Sequence, residues 1–278
     1  MAANEYASLV DDYVNEAGVD QNESTGGGGD FALPEEGLGY ARVVEYIELG
    51  AHFATYQGKP KPKPEHRVRI TFELISKKWP AIEGENGTYH HRISVRLNLS
   101  TNERARFFKL FRAMNDCYGN KYKHMAQMVA DNAAFKVKVV HSSSGEGDKK
   151  RTYANLDNEN GWLIYPATRT NEEDEEIPVN VPDANIPTRI FLFNKPRAED
   201  WAKLHVEGTR EDGSSRNWLQ ETILSAVNFP GSPLDAMLAD LDTPEPAEAP
   251  KGAGKSTKTA KTNAKEDDLG DFDDDIPF

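Results

Sequence analysis

Four arginines alternate with other side chains in two short segments of the chain. Arg67 and Arg69 lie in the first segment, and Arg92 and Arg96 lie in the second. The guanidinium group is planar and permanently charged, and it binds phosphate oxygens through paired hydrogen bonds. Like charges on one face of a sheet are unfavourable without an anionic partner, so this pattern predicts a phosphate-binding surface. A solvated polar face is the alternative interpretation.

The segments around these arginines have the period-two pattern of strands with one buried face. Apolar and polar residues alternate over residues 67–76 and again over residues 88–99. A longer β-prone stretch precedes them at residues 40–56, and Gly50 within it indicates a bend or a bulge. We therefore expect three strands, and the second and third carry the arginines on their polar sides.

A helical segment is predicted after the third strand. Ser100 or Thr101 is the expected N-cap, and Glu103 is expected in the first turn. A second short helix is expected over residues 122–132.

A hairpin completes the pattern. Alternation returns at residues 134–141, and a fifth strand is expected at residues 151–156 after a turn rich in Ser and Gly. Three strands, a helical segment and a hairpin are the order of an OB-fold, a five-stranded barrel that binds oligonucleotides. The predicted class is mainly β with helices (α+β), a barrel with a C-terminal elaboration and disordered acidic termini. We predict a disordered acidic N-terminal arm at residues 1–38 and the barrel at residues 39–159. An elaboration packed on the barrel is predicted at residues 160–242, and a disordered linker with the acidic tip at residues 243–278.

The charge of the chain is unevenly distributed. The formal net charge is −13, but residues 40–170 carry 22 Lys and Arg against 13 Asp and Glu. That block therefore has a net charge of +9, and the remaining residues together have −22. A basic block between acidic arms is typical of nucleic-acid-binding proteins. A surface of ordinary mixed charge is the alternative.

Binding of single strands also requires flat side chains, because bases stack on aromatic rings. Trp79 follows two lysines in the loop between the second and third strands, and it is the strongest stacking candidate. A core position is the alternative for several of the aromatic residues. The predicted DNA-binding residues are Arg42, Tyr46, Lys59, Lys61, Lys63, Arg67, Arg69, Trp79, Arg92, Arg96, Lys136, Lys138, Lys150, Arg151 and Tyr153.

The last eight residues combine aspartates with an apolar end. A Phe ring, a terminal carboxylate and upstream acids suit an apolar pocket rimmed by Lys or Arg. A tail that serves only solubility is the alternative, but solubility does not require terminal apolar groups. The predicted partner-binding residues are Asp273, Asp274, Asp275, Ile276, Pro277 and Phe278.

This tip, residues 271–278, closely resembles the acidic C-terminal tip of bacterial single-stranded DNA-binding proteins. The long N-terminal arm and the elaboration depart from the bacterial form and suggest a bacteriophage version. The resemblance implies a protein that coats single-stranded DNA with little sequence preference during DNA replication, recombination or repair. It also implies that the tip recruits replication and repair enzymes. Whether the protein forms a homo-oligomer stays open.

Sequence motifs of catalysis are absent, because the chain has no Walker loop, no CxxC pair and no nucleophile elbow. We therefore predict no enzymatic activity and no cofactor. A replication or recombination adaptor and a structure-specific nuclease remain alternative functions. The single cysteine, Cys117, fits a reducing compartment. Neither a signal peptide nor a membrane-length apolar stretch is recognised, so the expected location is the cytoplasm, that of the host for a phage protein.

Overall fold

The structure, a computed structural model, describes residues 33–56, 59–84, 87–144, 150–209 and 213–242. The fold is mainly β, with antiparallel sheets and a few short helices. The described strands are β1 Gly37–His52, β2 Thr55–Tyr56, β3 Lys59–Pro60, β4 Glu65–Leu74, β5 Ile82–Gly84, β6 Gly87–Tyr89, β7 Arg92–Asn98, β8 Ala134–Ser144, β9 Arg151–Asn155, β10 Asp157–Asn158, β11 Gly161–Trp162, β12 Ile164–Pro166, β13 Thr168–Thr170, β14 Glu176–Pro178 and β15 Arg189–Phe191. The described helices are α1 Arg106–Asp116, α2 Met125–Ala130, α3 Ala198–Ala202, α4 Trp218–Leu224 and α5 Pro233–Asp242. None of these helices has the length and apolar character needed to cross a membrane.

The largest sheet has seven strands and is built around β1. Its main path runs β12–β8–β1–β4–β7, while β9 also pairs with β8 and β15 pairs with β1. Every pairing in it is antiparallel except that of β15 with β1. Within the described residues β7 pairs with neither β9 nor β12. The sheet is therefore open, and the closed form of the predicted barrel is not observed.

Two irregularities allow the long strand β1 to bend. The register with β4 shifts between Val43 and Glu45 and again between Glu48 and Gly50. Gly50 has φ +82°, a left-handed backbone conformation that residues other than glycine rarely adopt. The predicted bulge at Gly50 is confirmed.

The two faces of the sheet differ in what covers them. On the core face, Val68, Ile70 and Phe72 of β4 are fully buried, as the alternation predicts. Apolar residues of α1 and α2 complete this core, among them Phe107, Leu110, Met114, Met125 and Met128.

The other face, here called the outer face, carries a second apolar cluster over the later part of β1. Ile47 and Leu49 pack there against residues of a covering segment, defined as residues 181–209 and 213–242. The cluster residues that this segment contributes are Phe191, Phe193, Leu204, Leu219, Ile223, Ala226 and Leu234.

The first helix begins later than the sequence predicts. Its N-cap is Ala105, which provides no side-chain hydrogen bond. The polar side chains before it stabilise a turn instead: Ser100 Oγ accepts from the Asn102 N–H at 3.2 Å, and Asn102 Oδ1 accepts from the Arg104 N–H at 2.9 Å. The predicted cap at Ser100 or Thr101 was wrong, because local turn hydrogen bonds compete with helix formation.

Candidate nucleic-acid interface

The four predicted arginines all lie on the outer face, and together they are called the arginine region. Arg69 is directly opposite Arg96 in the pairing of β4 with β7, and Arg67 is opposite Asn98. Arg92 is opposite Glu73 on the same face. Arg92 and Arg96 are exposed, whereas Arg67 and Arg69 are half-buried.

A buried carboxylate neutralises part of this charge. Glu45 is 1% exposed and forms ion pairs with Arg69, at 3.1 Å, and with Arg189 of β15. The Thr71 hydroxyl donates to the same carboxylate at 2.5 Å. Arg69 also donates to Ser94 Oγ at 2.9 Å. The Arg69 guanidinium is therefore committed to contacts within the protein.

These contacts change the ionisation of the buried groups. Burial by itself would raise the pKa of Glu45, but Arg69, Arg189 and the Thr71 hydroxyl outweigh burial and hold that pKa below its ordinary value. Burial lowers the pKa of Arg69 to about 10, and Glu45 opposes that shift. At neutral pH both groups are charged.

An aromatic ring from the covering segment lies over the arginine region. The Arg96 guanidinium carbon is 4.4 Å from the centre of the Trp218 ring, and that of Arg69 is 5.5 Å from it. Both distances are in the range of cation–π contacts. Trp218 thus links the start of α4 to the arginines of the sheet.

Another part of the covering segment occupies the outer face beside Arg42. The Arg42 guanidinium donates to the carbonyl oxygens of Val181, Pro182 and Asn132. This predicted DNA contact therefore binds the chain's own backbone. Glu73, next to it, accepts from the backbone N–H groups of residues 185 and 186 at 3.1 and 3.0 Å.

A second group of predicted residues lies on the outer face of β8 and β9, and it is called the ribbon region. Lys136 and Lys138 project from β8 on this face, since they alternate with the buried Phe135, Val137 and Val139. Tyr153 is opposite Ser142, and Arg151 is opposite Ser144. Register therefore brings Lys136, Lys138, Arg151 and Tyr153 to one side of the sheet.

Two further residues, on the neighbouring strands β1 and β12, extend the ribbon region, and the sequence did not indicate them. Leu38 is opposite Lys138 and is 56% exposed, and Tyr165 is opposite Lys136 and is 38% exposed. Leu38, Tyr40 and Arg42 are at every second position of β1 and therefore lie on the same face, and this spacing could have identified Leu38. It was missed because the strand was expected to begin at residue 40.

Two predicted aromatic contacts are in the core instead. Trp79 is 3% exposed, and its indole N–H donates to the Glu35 carbonyl at 2.8 Å. A Cβ on Gly39 would lie 2.3 Å from the Trp79 ring, so the ring occupies the space that this glycine leaves. Tyr46 is fully buried, and its hydroxyl donates to Glu48 at 3.1 Å. Neither ring presents a face to a base.

The remaining predicted contacts are scattered. The Lys61 ammonium forms an ion pair with Glu65, with 3.4 Å between Nζ and Oε1, and Lys63 and Lys150 are exposed. The side chain of Lys59 and all of residues 271–278 lie outside the described part of the chain.

Among the described residues, no group of three or more His, Cys, Asp or Glu is arranged to hold a metal ion. Comparisons of the chain with models of protein families, with characterised proteins and with solved structures find no match.

Proposed function

We propose that this protein binds single-stranded DNA on the outer face of an open OB-type sheet and recruits partner proteins through its C-terminal tip. The observation that carries the proposal is the ribbon region, where basic and aromatic side chains lie on one face and stay exposed among the described residues. Lys138, Arg151 and Tyr153 are all exposed there. A basic groove with stacking surfaces is what binding of single strands without sequence preference requires.

The strand order supports an OB-type fold. Counting only β1, β4, β7, β8 and β9, the order in the sheet is third, second, first, fourth, fifth. Helices α1 and α2 lie between the third and fourth of these strands. An OB-fold is a partly open five-stranded barrel, and its nucleic-acid site includes the second and third strands and the loop between the fourth and fifth. The arginine region lies on the second and third of these strands, and the ribbon region lies on the fourth and fifth, which supports the proposal.

The sequence of the tip supports the second part of the proposal. Ile276 and Phe278 place apolar groups at the end of an acidic run, a combination suited to capture by a basic-rimmed pocket. Partner binding and DNA binding would then be separate tasks of separate segments.

Fluorescence anisotropy with a labelled oligothymidine tests the DNA-binding part. We expect binding whose log affinity falls with log salt at a slope of about −0.7 for each phosphate neutralised. An unlabelled duplex should compete much less well than an unlabelled single strand. Equal competition by duplex, or an affinity that does not respond to salt, would overturn the proposal.

Deletion of residues 271–278 tests the role of the tip. DNA affinity should be unchanged or higher, because the deletion removes negative charge, while capture of replication or repair enzymes should be lost. If the full chain binds partners and never binds DNA, the adaptor function is the correct one. Cleavage of the labelled oligonucleotide in the presence of magnesium would instead indicate a nuclease.

A further inference from the structure

We propose that Leu38, Tyr153 and Tyr165 form the base-contacting surface of the ribbon region, whereas Arg92 and Arg96 contact only backbone phosphates. This inference rests on the proposed function and divides its contacts between two places on the outer face. It assigns a role to Leu38 and Tyr165, which the sequence alone did not indicate.

The three side chains are unusually exposed for their size. Leu38 is 56% exposed, Tyr153 is 44% exposed and Tyr165 is 38% exposed. Each lies opposite an outer-face residue of β8, so all three project from the same side of the sheet. Base–aromatic stacking requires such an accessible apolar surface and tolerates any base sequence.

The spacing of these side chains suits an extended strand of nucleic acid. Their opposite residues on β8 are Lys136, Lys138 and Ser142. Residues 136 and 142 are six positions apart, which is about 20 Å along an antiparallel strand. A surface of that length fits within a site of about 4–16 nucleotides for one OB-type module.

Charge favours a polyanion as the occupant of this surface. Within the described residues, neither Lys138 nor Arg151 forms an ion pair, and both are exposed. An apolar protein partner would leave those two cations without a counter-charge, whereas backbone phosphates would supply it.

One end of the surface is bounded by the hairpin of β13 and β14. The Tyr40 hydroxyl donates to the Thr168 carbonyl at 3.3 Å, and the Thr168 hydroxyl donates to Glu176 at 3.1 Å. The Lys136 ammonium is 3.5 Å from the same Thr168 hydroxyl, so Glu176 places negative charge at the end of the surface where Lys136 and Tyr165 are opposite each other. A bound strand would extend from Tyr165 toward Tyr153, away from that carboxylate.

The ring that contacts the outer arginines of the arginine region is not free: Trp218 is half-buried and already contacts the Arg96 guanidinium. Phe53 is 53% exposed, but its carbonyl accepts from Arg67 at 3.2 Å, at the end of the β4–β7 pairing far from Arg92. Arg92 and Arg96 lie at the edge strand β7, where they reach solvent. Phosphate contact is the interaction that this arrangement allows.

An abasic oligodeoxynucleotide separates the two kinds of contact, because it retains the phosphates and lacks the bases. We would measure the affinity of the full chain for oligothymidine and for an abasic strand of equal length by anisotropy. The variants are Tyr153→Ala, Tyr165→Ala and Leu38→Ala, singly and combined, and the double variant Arg92→Ala/Arg96→Ala.

Each lost tyrosine ring should lower oligothymidine affinity by about 5- to 150-fold and leave abasic affinity and the salt slope unchanged. Tyr165→Phe should retain full affinity. The double arginine variant should weaken binding of both strands and reduce the magnitude of the salt slope by about 0.7 for each lost contact. Val227→Ala, at a position 47% exposed in the covering segment, is the control and should change neither affinity. Unchanged urea midpoints would show that the variants are folded.

The outcomes separate this inference from the proposed function. A wild-type chain that binds no single-stranded DNA would overturn both. If the wild type binds DNA but the triple variant binds oligothymidine within twofold of it, the proposed function stands and the base-contacting surface is wrong. Loss of abasic affinity in the tyrosine variants would also contradict the assignment, because it would show that these residues act on phosphate contacts.

Discussion

The arginine region and the ribbon region share one sequence pattern and have different surroundings. Both place basic side chains at alternate positions of paired strands, on the same face of one sheet. In the arginine region a buried carboxylate, Glu45, and an aromatic ring, Trp218, contact the guanidinium groups. The ribbon region shows no such contact to Lys138 or Arg151 in the described chain.

The difference lies in what the rest of the chain packs against each region. The covering segment contributes Arg189 and Trp218 to the arginine region and occupies the later part of β1. Through these contacts, part of the basic surface joins the covering segment to the sheet. Alternating basic residues on a strand therefore do not establish a binding surface until the distant segments are placed.

The largest effect should come from removing the carboxylate of the arginine region. We expect Glu45→Ala to lower the free energy of unfolding by about 3–5 kcal/mol, because it leaves Arg69 and Arg189 without their buried partner. Urea denaturation measures this. The control, Glu172→Ala, changes an exposed glutamate and should stay within about 0.5 kcal/mol of wild type. A loss at Glu45 as small as that of the control would mean that the arginines are not held by this carboxylate.

A somewhat smaller effect should come from the contact between β1 and the covering segment. A Cβ on Gly50 would lie 2.4 Å from Ala226 Cβ, and φ there is +82°. Gly50→Ala should therefore lower the free energy of unfolding in urea by about 1–2 kcal/mol because of the left-handed backbone. Overpacking against Ala226 should lower it by about 1–3 kcal/mol more.

Gly119→Ala is the matched control for that substitution. Gly119 also has positive φ, at +63°, but a Cβ there would meet no atom within 4 Å. Only the backbone cost should appear, and the difference between the two variants isolates the contact with Ala226. Equal losses in the two variants would contradict a tightly packed covering segment.

Acid should weaken the arginine region selectively. The pKa of Glu45 is lowered in the folded state, so its contribution to stability is complete above the unfolded-state pKa of about 4.3. That contribution is lost as pH falls through the lower, folded-state pKa. The stability difference between wild type and Glu45→Gln should thus be constant from pH 7 to pH 5 and shrink below about pH 4. Urea midpoints of the two proteins at each pH measure this stability difference. A difference as large at pH 2 as at pH 7 would exclude Glu45 as the acid-sensitive group.

Local patterns predicted the strands well, because strand formation and its buried face depend on neighbouring residues. The alternation of Val68, Ile70, Phe72 and Leu74 predicted β4 and its core face. The ionic partners of Arg69 were not predictable in this way. Glu45 reaches it through strand pairing, and Arg189 belongs to a strand far along the chain.

The prediction for Trp79 shows the same limit at a single side chain. Two adjacent lysines made a solvent-exposed ring plausible from sequence. The ring is buried because Gly39, on another strand, leaves space for it, and because the Glu35 carbonyl accepts its N–H. Which faces of the sheet are open is likewise decided by packing between segments that are distant in sequence.

The smallest effect on stability should come from the exposed edge of the arginine region, and it tests whether that edge still binds DNA. Arg92 is exposed on β7, whereas Arg69 on the adjacent strand is bound to Glu45. Arg92→Ala should change the free energy of unfolding by less than about 0.5 kcal/mol, while Arg69→Ala should destabilise the fold strongly, because Glu45 then loses a buried partner. Salt titrations of oligothymidine binding should show the Arg92→Ala slope reduced in magnitude by about 0.7. An unchanged slope would show that Arg92 neutralises no phosphate, and an unchanged slope in Arg92→Ala/Arg96→Ala as well would restrict DNA contact to the ribbon region.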